Sequence, residues 1–174
     1  MPEPQTLSKT LLLKMLEESG TTALETLRAL PPAAFEQGRY ENGWNARQIL
    51  AHIASIEWAY ARLVDLARGA TGPEGASPQP GSRPSEGPAQ GGIDDYNARQ
   101  VAKREDSGVT DLIDEFQANR ARTIEAVRAT DDYLFSVPIR SAGGVTGALA
   151  DVLRYVAVLH VEQHVQDIAG PASA

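Results

Sequence analysis

The sequence predicts an all-α fold, an up-and-down four-helix bundle with a long Gly/Pro-rich loop between helices two and three. Three observations carry that expectation. Apolar residues recur at helical spacing through several long stretches, clusters of Pro and Gly separate those stretches, and no convincing series of alternating apolar and polar residues marks strands. A length of 174 residues with 42% hydrophobic content suits a single core, so 1–174 reads as one domain. No internal repeat is evident.

Helix one runs from Leu7 to Leu30, with Leu12, Leu16, Ala23, Leu27 and Leu30 at helical spacing, and Pro31-Pro32 blocks its continuation. Gly20-Thr21-Thr22 lies inside the pattern. Glycine costs roughly 1 kcal/mol against alanine in a helix interior, which weakens the pattern and leaves room for a bend there.

Helix two has the clearest start signal, because Asn45 can cap the free N–H groups while Gln48, three residues on, reaches back to it. It continues to about Arg68. Ile49, His52, Ile56, Ala59 and Leu63 share one face, and Leu50, Ile53, Trp58 and Val64 widen the apolar surface, as expected of a central helix or one shared with a partner.

Residues 69–92 read GATGPEGASPQPGSRPSEGPAQGG, a composition that buries too little to offset its ordering entropy. A flexible loop is expected, acting either as a lid over a site or as a dispensable insertion. A third helical region starts near Ile93, pauses at Ser107-Gly108 and resumes behind Thr110 as N-cap, with Leu112, Ile113, Phe116, Ile124 and Val127 on its core face. Asp131 to Gly144 reads as a connection. The last helix is expected from Thr146 to Ala169, ended by Gly170-Pro171.

The net charge of −7, from 16 basic and 23 acidic side chains, would repel a phosphate backbone and argues against a nucleic-acid partner. The N-terminal residues lack the basic and apolar pattern of a signal peptide, and no apolar run reaches the ~20 residues of a membrane span. No membrane association and a cytoplasmic location are the expectation. With no cysteine, metal ligands must be histidine or carboxylate, and any thiol chemistry needs an external thiol.

Only three histidines are present. His160 and His164, four residues apart, fall on one helix face that also carries Leu149, Val152, Val156 and Ile168, so both should point into the bundle. His52 is likewise on the buried face of its own helix. Three neutral imidazoles from two helices would give one divalent ion three ligands and leave a position open to water or substrate, and zinc, nickel or another borderline ion suits imidazole. A lone histidine on an apolar face is ordinarily a satisfied core residue. Three at once are costly to bury unless each is hydrogen-bonded or ligated.

Spacing removes two rival motifs: the zincin pattern needs glutamate directly after the first histidine, whereas Glu162 stands two positions on. A di-iron bundle needs Glu-x-x-His, which no histidine here completes. Glu57, Glu162 and Asp167 are candidates to orient an imidazole through its second nitrogen, although a solvated helix face is the commoner fate for such residues. Trp44 and Tyr60 are candidates for a pocket mouth, with core packing the commoner role. Arg140 and Arg154 are read as surface charge.

The segment Gly43-Trp44-Asn45-Ala46-Arg47-Gln48-Ile49-Leu50-Ala51-His52-Ile53-Ala54-Ser55-Ile56-Glu57 resembles the second-helix signature of the DinB-like family. Leu159-His160-Val161-Glu162-Gln163-His164-Val165-Gln166-Asp167-Ile168 resembles that family's last-helix H-x-x-x-H. The family is similar to the metal-binding domain of mycothiol-dependent maleylpyruvate isomerase and to bacillithiol transferases. The resemblance implies a metal on His52, His160 and His164, which activates a low-molecular-weight thiol for transfer or isomerisation. It also implies a homodimer, and Tyr155, Val158, Leu159 and Val165, off the histidine face, supply apolar surface for pairing.

The function expected is therefore a metal-dependent enzyme acting on a small-molecule substrate with a thiol cofactor. Two alternatives stand beside it: a metal-dependent hydrolase that uses water in place of the thiol, and a non-catalytic metal- or ligand-binding dimer.

Overall fold

A computed structural model describes residues 7–38, 43–71 and 92–170. Helix α1 (Lys9–Ala29) starts where the Ser8 hydroxyl accepts from the Leu11 N–H, and it runs unbroken through Gly20. The glycine is buried, and a Cβ there would stand 3.1 Å from Cγ of Arg120. Its role is close approach between helices.

A short 3-10 turn (Pro32–Glu36) leads toward α2 (Ala46–Ala70). The capping box read from the sequence is formed: Asn45 Oδ1 accepts from the Gln48 N–H at 2.8 Å, and Gln48 Oε1 accepts from the Asn45 N–H at 2.9 Å. Of the expected 69–92 loop, Gly69 and Ala70 complete α2 and Gly92 opens the next helix, while 72–91 lie outside the described residues.

The third helical region divides into α3 (Gly92–Ala102) and α4 (Val109–Arg128). The N-cap of α4 is Gly108 rather than Thr110. Gly108 can enter the helix two residues earlier because the Asp111 carboxylate accepts its N–H at 3.2 Å.

The connection behind α4 contains a 3-10 turn (Asp132–Ser136) and a two-stranded antiparallel ribbon, β1 (Pro138–Arg140) with β2 (Thr146–Ala148). Thr146 therefore belongs to a strand, and the last helix begins at Leu149, three residues later than expected. It consists of α5 (Leu149–Leu153), a π turn (Arg154–Leu159) and α6 (His160–Ala169), which follow without a break.

Four long helices, α1, α2, α4 and the last helix, form the bundle, as the sequence predicts. Side-chain pairings set their directions. Lys9 bonds the Thr130 carbonyl and Arg28 bonds Gln117, so α1 and α4 are antiparallel. Asn119 bonds the Ala54 carbonyl and Arg68 bonds Thr130, so α2 and α4 run parallel. The last helix opposes α2, with Tyr60 near His160 and His52 near His164. The order of directions is up, down, down, up, so the four helices expected are present but α2 and α4 run parallel where an up-and-down bundle would oppose them.

Each of α2 and α1 packs on both α4 and the last helix, which places α1 diagonally opposite α2. The core is aliphatic, centred on Leu12, Leu16, Ile49, Leu50, Ile53, Leu112, Phe116, Leu149 and Leu153. No helix among the described residues is long and apolar enough to cross a membrane.

Candidate metal centre

The three histidines converge where α2 meets the last helix. His52 and His164 are buried and His160 is partly so, and one ring nitrogen from each lies within 4.8 Å of the others. The rings stand edge to face, with centroids 4.4 Å apart for His160 and His164 and 5.0 Å for His52 and His164. The closest approach is between Nε2 of His160 and Nε2 of His164, at 2.9 Å. Two nitrogens that share one ion through bonds of about 2.1 Å stand about 3.0 Å apart at a right angle and about 3.4 Å apart in a tetrahedron.

The outer side of the rings meets groups of the chain. His164 Nδ1 lies 3.4 Å from the Asp167 carboxylate, one turn further along α6. The Val156 carbonyl acts on the His160 ring to raise its pKa, and the ring's Nδ1 lies 3.5 Å from the Tyr60 hydroxyl. A carboxylate or carbonyl behind an imidazole fixes its tautomer and tilt, the usual arrangement behind a metal ligand. His52 Nδ1 is buried with no hydrogen-bond partner among the described residues. Such a group costs stability unless something else satisfies it.

Electrostatics keep the site neutral. Burial, then the neighbouring rings of His164 and His160, lowers the pKa of His52 to about 3. Burial and the His160 ring lower His164 to about 4, against an opposing pull from Asp167. His160 is lowered too, chiefly by burial, with Val156 and Asp167 opposing. All three are unprotonated at neutral pH, the form that binds a metal. By donor chemistry, spacing and protonation, the residues fit a borderline divalent cation.

The remaining candidates divide. Asp167 stands behind His164 as expected, whereas Glu162 is exposed and Glu57 is directed elsewhere. Trp44, half-buried, packs its ring 5.3 Å from that of His52. Tyr60 is buried beside His160, its hydroxyl held above the ordinary pKa by burial. Arg140 and Arg154 are exposed, as read from the sequence.

Sequence reading missed the polar node beneath the site. Glu57 and Arg120 are 0% and 3% exposed and form an ion pair with Nε to Oε1 at 2.7 Å and a second contact at 3.1 Å. Burial raises the Glu57 pKa, and the guanidinium pulls against it. Arg120 also donates to the Leu16 carbonyl, the Ser19 hydroxyl and the Ala157 carbonyl. The pair's spacing on helices that otherwise carry a solvated charged face concealed it.

A family model described as the DinB superfamily matches residues 15–168. Among solved structures, the chain is similar to the mycothiol-dependent maleylpyruvate isomerase and to a mutant of that enzyme, each at a TM-score of 0.71 and 18% identity over 96% of this chain. It spans 63% of the length of that enzyme. At this identity the likeness concerns the fold. No match is found among curated proteins.

Proposed function

The chain belongs to the DinB superfamily, and from that premise we propose that it is a metal-dependent enzyme whose single divalent ion is held by His52, His160 and His164. The observation that carries the reading is the convergence of three ring nitrogens within 4.8 Å, from two helices, two of the rings buried and the third partly so. Zinc or nickel is the expected ion, since imidazole suits both. Three protein ligands leave a position for an exogenous group.

Bound there, the ion would lower the pKa of a low-molecular-weight thiol and so supply a nucleophile at neutral pH. The chain has no cysteine of its own, which agrees with an external thiol. The structural likeness to an enzyme named for its dependence on mycothiol points the same way. A thiol transferase or isomerase acting on a small electrophile is the reaction class proposed. The chain's own residues do the positioning: Asp167 and the Tyr60 hydroxyl stand behind the His164 and His160 rings, and Trp44 closes one flank of His52.

Elemental analysis of protein purified without a histidine tag tests the site. About one equivalent of zinc or nickel in the wild type, absent from His160→Ala/His164→Ala, is expected. No metal after reconstitution would make these core histidines and end the enzyme proposal. Conjugation assays across thiols and electrophiles then separate the thiol enzyme from a hydrolase that uses water at the same site.

We also propose a homodimer. Of the apolar residues expected to pair subunits, Val158 and Val165 are buried within the bundle, which leaves Tyr155 and Leu159 exposed on the last helix and Trp58 on α2. Sedimentation at micromolar concentration should give twice the 18.6 kDa chain mass, and a monomer would remove the proposal.

A further inference from the structure

The π turn at Arg154–Leu159 ends where His160 begins. The His160 N–H bonds the Tyr155 carbonyl, five residues back, where an α-helix would use that of Val156. One carbonyl of the turn, that of Ala157, accepts from Arg120 at 2.6 Å.

Arg120 is the only side chain among the described residues that reaches all four bundle helices through the contacts above. It sits on α4, pairs with Glu57 on α2, bonds Leu16 and Ser19 on α1 and grips Ala157 on the last helix. Gly20 gives its stem room. A π turn has poorer internal geometry than the α-helix on either side and tends to be retained at functional sites. Here the guanidinium supplies a charge-assisted bond to a carbonyl inside the turn, the kind that is shorter and stronger than neutral ones.

We propose that the Glu57–Arg120 pair positions His160 for metal binding: by holding the Ala157 carbonyl it keeps the π turn wound, and the wound turn, which ends in the bond from the His160 N–H to the Tyr155 carbonyl, sets where His160 enters the last helix. The inference rests on the metal reading of the three histidines. It gives the pair a function beyond tying the bundle together, so its loss must alter the metal site even where the fold survives. Both residues are positioning residues, since neither lies among the ligand nitrogens.

The decisive variant is Glu57→Leu/Arg120→Met, because removing both charges avoids the orphaned buried ion that a single substitution would leave, and apolar replacements of such pairs are often tolerated. With helicity and cooperative melting retained, zinc affinity is expected to fall about tenfold or more, and the visible spectrum of the cobalt-substituted site is expected to change. A folded variant with wild-type affinity and an unchanged cobalt spectrum would overturn the proposal and leave the metal site standing. A wild type that binds no metal would overturn both. Independently of whether the variant folds, zinc titration of the unaltered chain should shift the Arg120 Nε–H NMR resonance with one-to-one stoichiometry. An unmoved resonance would again count against the coupling.

Discussion

Nε2 of His160 and Nε2 of His164 lie 2.9 Å apart, while the other nitrogen of each ring faces a group of the chain itself: Tyr60 for His160 and Asp167 for His164. The rings are thus oriented before any ion arrives. Side-chain ordering that would otherwise oppose binding is complete in the folded state, which favours affinity. Four measurements follow from this arrangement and its supports.

The pH dependence of metal affinity should be shallow. A free imidazole titrates near 6.5, and three independent ones would lose about tenfold each at pH 5.5, about a thousandfold together. In the folded chain His52 stands at about 3 and His164 at about 4, and His160 is lowered as well. Protons therefore compete weakly at His52 and His164 above pH 5. Calorimetric Kd values at pH 7.5 and 5.5 are expected to differ by no more than the about tenfold that one ordinary imidazole would contribute, and a loss approaching a thousandfold would show that the rings titrate as if exposed.

Acid should destabilise the metal-free chain for the same reason. His52 has a folded pKa of about 3 against an ordinary 6.5, so between those values the unfolded chain binds a proton that the folded chain refuses. Stability present above pH 6.5 is then lost as pH falls, at up to about 1.4 kcal/mol per pH unit for one proton. In urea unfolding from pH 6.5 to 4.5, His52→Leu should flatten the slope by about that amount. An unchanged slope would mean that His52 protonates freely in the fold.

How far this could be read in the sequence depended on whether the determining contact is local. The start of α2 was legible because Asn45 and Gln48 satisfy each other three residues apart. The metal candidates were legible because all three histidines fell on apolar faces, where each polar ring is costly. Glu57 was not placed, since its burial is decided by Arg120, 63 residues away. The π turn has no compositional mark, and a ribbon with three residues in each strand is too short for alternation to show. The parallel course of α2 and α4 is set by pairings such as Asn119 with Ala54, which no periodicity reveals.

Asp167 should matter to the metal more than to the fold. Its carboxylate lies 3.4 Å from His164 Nδ1 and raises that ring's basicity, while Gln163 is its other polar neighbour, on the helix surface. In Asp167→Ala, the His164 ring loses its orienting partner and a weaker electron donor faces the ion. Zinc affinity is expected to drop about 10- to 100-fold with the melting temperature little changed. Equal affinity would place Asp167 outside the site's support.

Gly20→Ala tests the packing under the polar node, and two effects of opposite sign compete in it. Helix propensity favours alanine by roughly 1 kcal/mol in a helix interior. Against this, the new Cβ would lie 3.1 Å from Arg120 Cγ. A flexible side chain could swing away, but Arg120 is held by Glu57, Leu16, Ser19 and Ala157 at once. Moving its stem by a few tenths of an ångström stretches several buried charge-assisted bonds together, and overpacking of this kind typically costs about 1–3 kcal/mol. The strain should win, so Gly20→Ala is expected to lower the melting temperature. A raised melting temperature would show that the Arg120 stem yields and that the node is held less firmly than its bonds imply. Ala substitution at Ser19 alongside it separates the causes, because loss of the Ser19 hydroxyl removes one restraint on Arg120 and should lessen the penalty at position 20.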